Sequence, residues 1–260
     1  MKIGKRSQGQ AVKALFEWRH YIALFNMLRV YPDFCDSFKR YFTGSGTYPY
    51  NIKIRTPLGQ ILPKIYSYHD MLTVNEVFCR EDYCAKSACK VIVDVGSNIG
   101  ISALYFLTRN KDSKCYLFEP VPENVEKLKE NLKLFEGRYC LEQKAVSDKT
   151  GKLRFGVEAT GRYGGLNQET GNAIMVQCLD INDVLSEILN KEQRIDLLKI
   201  DAEGSEISII KSINPSFLSR IKYIYFEFHS KNKNYLVDLL SVHYYLKKYK
   251  GVYILSSHLK

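Results

Sequence analysis

Hydrophobic and polar positions change their rhythm along the 260-residue chain. Over residues 11–43, Val12, Leu15, Phe16, Ile22, Phe25 and Leu28 recur at near-helical spacing, which predicts one or two helices interrupted at Pro32. Residues 43–50 (TGSGTYPY) are turn-rich and read as a linker. NIKIRT and QILPKIY then alternate around Pro-Leu-Gly, the pattern of a hairpin. Residues 69–83 predict a short helix, with Asp70 or Thr73 as its cap.

From residue 91 continuous apolar runs take over. VIVDVG ends in Asp and Gly, as expected of a strand buried on both faces. Helix ISALYFLTRN, strand CYLFEP, helix PENVEKLKENLKLF and strand RYCLEQKAV follow. LRFGVE and AIMVQC predict short strands around a loop rich in glycine, and INDVLSEIL predicts a helix. Then come strand RIDLLKID, helix SEISIIKSI, strand IKYIYFEFH, helix NYLVDLLSVHYYLKKY and strand VYIL. This alternation predicts an α/β fold: a mostly parallel sheet with helices on both faces. Only SSHLK follows VYIL, so the expected sheet has six strands or borrows the N-terminal hairpin at an edge. The expected organisation is a helical extension and linker over 1–50, a hairpin and lead-in helix over 51–90, and the main domain over 91–260.

Charge adds a bias. The chain holds 38 Lys and Arg against 28 Asp and Glu. Residues 1–90 carry 14 basic and 7 acidic side chains, residues 91–220 carry 17 and 19, and residues 221–260 carry 7 and 2. The basic flanks suit an acidic substrate, a nucleic acid, an anionic membrane face or plain solvation. The helical segment around Trp18 reads as packed on the main domain or as lying on a membrane surface. No run of about 18 uncharged apolar residues is present, which argues against a spanning segment. Seven cysteines, an odd number with no secretory signal before them, fit a reducing cytoplasmic setting. Cys79, Cys84 and Cys89 fall five apart, which is not zinc-knuckle spacing, so packed thiols and no metal are expected.

In such a sheet ligands bind beyond the carboxyl ends of the strands. The informative residues are therefore Asp94 with Gly96, Glu119, the Ala145–Asp148 turn, Asp201 with Glu203, and Glu227 with His229. Asp94-x-Gly96-x-Asn98-x-Gly100 follows a strand and opens a helix, and Glu119 stands nineteen residues further on at the end of the next strand. A carboxylate there is placed to accept hydrogen bonds from a ribose. The pattern alone suits either a dinucleotide or S-adenosylmethionine. Asp94 repels a pyrophosphate and suits a sulfonium or ammonium cation, and Asn98 offers an amide to an amino-acid group. Both favour S-adenosylmethionine over a nicotinamide dinucleotide.

These segments, VIVDVGSNIGISALYF, YLFEPVPENVEKLKENL, QKAVSDKTGKLRF, VQCLDINDVL, LLKIDAEGSEISIIKSI and IYFEFH, resemble the FkbM family of S-adenosylmethionine-dependent methyltransferases over about residues 70–230. The resemblance implies a Rossmann-like class I methyltransferase that methylates a hydroxyl on a sugar, glycan or natural product. It implies that Asp94, Gly96, Ser97, Asn98 and Gly100 form the cofactor loop and that Glu119 holds the ribose. Pro120 and Val121 would flank the adenosine, Ala145, Val146 and Asp148 would lie near the adenine, and Asp201 would face the methionine end or the methyl.

An alcohol acceptor needs a base as the new bond forms. Glu203, in the turn after its strand, is the first candidate, followed by Glu206 and His229. Glu206 also reads as an exposed first-turn residue favoured by the helix dipole, and His229 as a packed edge histidine. Two other classes fit the basic flanks: a nucleic-acid ribose methyltransferase and a non-catalytic basic binding module. Strand-end acids disfavour the latter. The acceptor itself and the oligomeric state are not written in these patterns.

Overall fold

The structure is a computed structural model that describes residues 2–3, 6–7, 18–85, 87–157, 164–166, 172–202, 204–227, 244–249 and 252–257, with side chains over 23–85, 87–156, 173–202 and 204–226. The chain divides into two compact units, residues 1–82 and 83–260.

The first unit begins with a pair of two-residue strands, β1 (Lys2–Ile3) and β2 (Arg6–Ser7). Helix α1 spans Trp18–Val30 and α2 spans Phe34–Thr43, separated by the turn at Pro32 that the sequence predicts. Gly44, at φ 68°, closes α2 by donating its N–H to the Arg40 carbonyl. Strands β3 (Tyr50–Asn51) and β6 (Lys64–Ile65) enclose the expected hairpin, β4 (Ile54–Thr56) with β5 (Gly59–Ile61). Helix α3 (Tyr68–Val74) is capped by Ser67 rather than by Asp70 or Thr73. Asp70 instead completes a capping box, its carboxylate accepting the Ser67 N–H. A π-helical turn, Asn75–Cys79, continues α3. Ala23, Met27, Tyr31, Ile52, Ile54, Ile65, Met71, Val74 and Phe78 are buried in this unit. Burial also pushes the Cys79 thiol up to about 12, so it stays protonated among them.

In the second unit come β7 (Val91–Val95), α4 (Ile101–Leu107), β8 (Lys114–Phe118), α5 (Pro122–Leu132) and β9 (Tyr139–Glu142). They are followed by β10 (Ala145–Ser147), β11 (Gly151–Val157), β12 (Gly164–Leu166), β13 (Asn172–Asp180) and α6 (Ile181–Glu192). The chain then forms β14 (Ile195–Ile200), α7 (Glu206–Ser212), α8 (Pro215–Leu218), β15 (Ile221–Glu227), β16 (Tyr244–Tyr249) and β17 (Val252–Ser257). Among the described residues the main sheet has seven strands in the order β16-β17-β15-β14-β7-β8-β9. Its five central strands, β15-β14-β7-β8-β9, run parallel. Strand order reverses at β7, with β8 on one side and β14 on the other, which makes this the Rossmann-like doubly wound plan with its switch point at β7.

Three expectations need correction. Among the described residues the sheet has seven strands rather than six, and the N-terminal hairpin is not one of them. Tyr244–Tyr249, read as the end of a helix, is a strand antiparallel to β17, which itself runs antiparallel to β15. Tyr249 stands opposite Val252. The remainder of that predicted helix, 235–243, lies outside the described residues. Finally, RYCLEQKAV is two strands: β9 in the main sheet, and β10 in a second sheet of order β10-β13-β11-β12.

Two buried or half-buried side chains pin the ends of the central strands. Asp196, at the start of β14, accepts the N–H groups of Lys90 (2.7 Å) and Val91 (3.1 Å), which fixes the entry of β7. Arg138 donates to the carbonyls of Leu107 (2.9 Å), Asn110 (2.6 Å) and Ser113 (3.0 Å), so the exit of α4 and the entry of β8 share one guanidinium. The apolar core of this unit runs through β7, β14 and β15 into α6 and α7, with Val93, Leu185, Ile195, Leu198, Ile200, Ile209 and Ile224 all excluded from solvent. Among the described residues, no helix is long and apolar enough to cross a membrane.

Candidate active site

All five residues of β7 are buried, and the chain must turn sharply at its end to start α4. It does so through three left-handed residues, Gly96 (φ 79°), Asn98 (φ 47°) and Gly100 (φ 86°). At Gly96 the requirement is steric as well as conformational. A Cβ there would collide with the Asp201 carbonyl oxygen at the end of β14. The opposite side of the loop is tied to β8: Gly96 N–H and Ser97 N–H both reach the Phe118 carbonyl, at 3.0 and 3.1 Å, and Asn98 N–H reaches Glu119 Oε2 at 2.8 Å. Asp201 N–H donates to the Val95 carbonyl at 3.1 Å. The glycine loop is thus wedged between the ends of the two strands that flank the switch point.

Its electrostatic centre is Lys199, which sequence reasoning missed. This side chain leaves β14, is 2% exposed, and places Nζ 2.9 Å from Asp94 Oδ1 and 2.9 Å from the Gly96 carbonyl. Asp201 Oδ2 lies 3.4 Å away. Burial alone favours loss of the proton, but the Asp94 and Asp201 carboxylates outweigh it and hold the ammonium above the ordinary lysine value. Asp94 Oδ2 accepts the Ser102 hydroxyl at 2.6 Å, so both oxygens of this fully buried carboxylate carry protein donors. Tyr83 donates its hydroxyl to Asp201 Oδ2 at 3.3 Å, and its ring lies 5.3 Å from Lys199 Nζ. One signal pointed to Lys199: it is the single charge within the apolar run LLKI, where a buried cation needs buried anions.

Glu119 is 4% exposed, just past β8. Its Oε1 accepts Val121 N–H (3.0 Å) and Asn124 Nδ2 (3.3 Å), and its Oε2 accepts Asn98 N–H. Burial raises its pKa, and these hydrogen bonds pull it back in part. A carboxylate offers about four acceptor positions, so one beyond these three donors remains for a ligand hydroxyl.

The other expected residues divide into groups. Asp94, Gly96, Ser97, Asn98, Gly100, Glu119 and Asp201 come together around the loop just described. Pro120 is buried, and Val121 and Ala145 share a small apolar cluster with Phe155, Val176 and Cys178. Val146 faces the main core instead, and Asp148 is exposed, bonded to the Ser147 hydroxyl at 2.9 Å. Glu206 is buried, not the exposed first-turn residue of the alternative reading, and both its oxygens approach Gly204 N–H (3.1 and 2.9 Å). Glu203, His229 and the Glu227 side chain lie outside the described residues. Among those described, no group of three His, Cys, Asp or Glu is arranged to hold a metal ion.

A glycine loop held at the switch point between acidic strand ends defines a Rossmann-like nucleotide-cofactor site. The model of the methyltransferase FkbM domain matches residues 94–250, and the chain belongs to that family. It is 24% identical over 212 residues to the 31-O-demethyl-FK506 methyltransferase FkbM of Streptomyces tacrolimicus, covering 68% of this chain and 81% of that protein. It is 23% identical over 140 residues to the hexuronic acid methyltransferase AglP of Haloferax volcanii, covering 54% of this chain and 56% of that one. Three other curated relatives are covered over 10%, 58% and 65% of their length, so the chain spans less than two thirds of each. Among solved structures, a methyltransferase FkbM of Methylobacillus flagellatus KT aligns with TM-score 0.48 and 14% identity, covering 73% of this chain and 54% of that one.

Removing the Lys199 charge leaves Asp94 buried without its counter-ion. Lys199→Met is expected to lower unfolding stability by roughly 3–5 kcal/mol, and adding Asp94→Asn to recover part of the loss. Urea denaturation measures both. A single variant within about 0.5 kcal/mol of wild type contradicts the pairing.

Proposed function

We propose that this protein is an S-adenosylmethionine-dependent O-methyltransferase whose acceptor is a hydroxyl of a sugar, glycan or natural product. The observation that carries this reading is the loop Asp94–Gly100, held between Glu119 and Asp201 in a chain of the FkbM family. The name of the FK506 relative, a 31-O-demethyl methyltransferase, supports transfer to an oxygen, and that of the hexuronic acid relative supports a sugar as acceptor.

The donor set fits such a cofactor. Three carboxylates, Asp94 and Asp201 paired with Lys199 and Glu119 bound to the Asn98 N–H of the loop, stand against one ammonium, so the site retains negative charge that suits a cation and repels a pyrophosphate. When bound, S-adenosylmethionine supplies a methyl group made electrophilic by its sulfonium. Glu119 holds the ribose through its remaining acceptor position. The Gly96–Gly100 loop, with the Asn98 amide, holds the amino-acid end. Val121 and Ala145 give the adenine an apolar wall. Asp201 carries an Oδ1 that takes no hydrogen bond among the described residues, and it orients the methionine end. The Glu203 carboxylate accepts the acceptor's hydroxyl proton, and His229 is the second candidate. Glu206, its carboxylate turned back on Gly204, braces the start of α7.

Calorimetry of the folded protein with S-adenosylhomocysteine tests the reading. Binding is expected with S-adenosylhomocysteine and not with NAD, and Glu119→Ala is expected to weaken it by about 10- to 100-fold. The Glu119 pKa is raised, so its acceptor form is lost at a higher pH than for an ordinary carboxylate. Affinity is therefore expected to fall on acidification while the pH is still above about 4.3, the usual glutamate value. No binding of S-adenosylhomocysteine by the folded protein overturns the proposal. For the base, Glu203→Gln is expected to lower turnover by about 100-fold or more. If Glu203→Gln and His229→Ala both stay within about threefold of wild type, the base assignment is wrong.

A further inference from the structure

The first unit carries a surface that the proposed chemistry does not use. On α1, Ala23 and Met27 are buried, while Leu24, Phe25 and Leu28 are 37%, 60% and 51% exposed. Strand β4 packs beside this helix, and Arg55 from it reaches the Arg29 carbonyl at 3.5 Å. The hairpin that β4 opens exposes two further leucines, Leu58 at 47% and Leu62 at 57%. Five of the seven large apolar side chains that are exposed among the described residues thus belong to residues 24–62. Apolar groups collected in this way mark a surface that meets something.

The charge of the same segment says what. Residues 1–65 hold 11 Lys and Arg against 3 Asp and Glu. Two of those acids are already neutralised locally, Asp36 by Arg40 at 2.7 Å and Asp33 by Lys53 at 2.9 Å. Arg29 and Arg55 have no carboxylate within ion-pair distance among the described residues, and the Arg29 guanidinium lies 6.0 Å from the Phe25 ring, next to the apolar face. A basic rim around exposed leucine and phenylalanine matches an anionic bilayer: the cations meet headgroups and the apolar side chains enter the acyl boundary. A second copy of the chain brings the same positive charge and is repelled. A nucleic acid or acidic glycan finds charge and one ring, Phe25, here, but the four leucines that make up the rest of the patch offer it neither stacking nor hydrogen bonds.

We propose that the outer face of α1 and the β4–β5 hairpin form a peripheral docking surface for anionic lipid membranes. Leu24, Phe25 and Leu28 insert at the interface, and Arg29 and Arg55 contact phosphate headgroups. This proposal does not depend on the methyl-transfer reading.

Flotation with vesicles tests it, using phosphatidylcholine alone and phosphatidylcholine with about one third phosphatidylserine. The full chain is expected to float with the anionic vesicles, far less with the neutral ones, and less as salt is raised. Phe25→Asp with Leu28→Asp is expected to lower the bound fraction about tenfold or more with the thermal unfolding midpoint unchanged, since both side chains are exposed. Three results overturn the proposal. They are absence of flotation on anionic vesicles, flotation that survives the double substitution, and a Phe25-dependent dimer or polyanion complex formed without vesicle binding.

Discussion

The structure around the glycine loop depends on one buried cation. Lys199 gathers the Asp94 carboxylate of β7, the Gly96 carbonyl of the loop and the Asp201 carboxylate beyond β14 within hydrogen-bonding or ion-pair reach. A lysine that is 2% exposed is costly unless its charge is matched, and here the matching groups come from three parts of the switch point: β7, the loop after it and the end of β14. The pair adds little net stability compared with an apolar pair. Its effect is on geometry: the loop cannot shift relative to β14 without stranding the ammonium.

That constraint explains why the loop needs the residues it has. With β14 drawn close, the Asp201 carbonyl fills the space where a side chain at Gly96 would stand. On the far side, the Glu119 carboxylate draws in Asn98 N–H, and the β8 carbonyl of Phe118 takes the two amides before it. The acids fix the loop, and under the proposed function the charge that Lys199 does not cancel remains for a cationic cofactor.

The parallel core was legible because its strands are continuous apolar runs ending in Asp94, Glu119 and Asp201, and each run sits where it was expected. Asp94, Glu119 and the glycines were readable by spacing; Lys199 and Tyr83 were not, because their partners lie far away in the chain, and Ser102, close in sequence to its partner Asp94, was passed over. Asp94 and Lys199 are 105 residues apart yet adjacent through the pairing of β7 with β14. The C-terminal strands were misread for a different reason. Tyr244–Tyr249 carries apolar and polar residues in an order that satisfies a helical period, and only its pairing with β17 selects the extended form. The exposed face of α1 was hidden likewise, since periodicity locates an apolar stripe but does not reveal whether anything covers it.

Held in this way, the loop is rigid and formed before any cofactor arrives. Native-state hydrogen exchange of the cofactor-free protein, read at the amides of Gly96, Ser97 and Asn98, measures this directly. Exchange as slow as that of the most protected amides of β7 is expected, so that these three open only when the second unit unfolds. Rapid exchange at Gly96–Asn98 while β7 stays protected would contradict it.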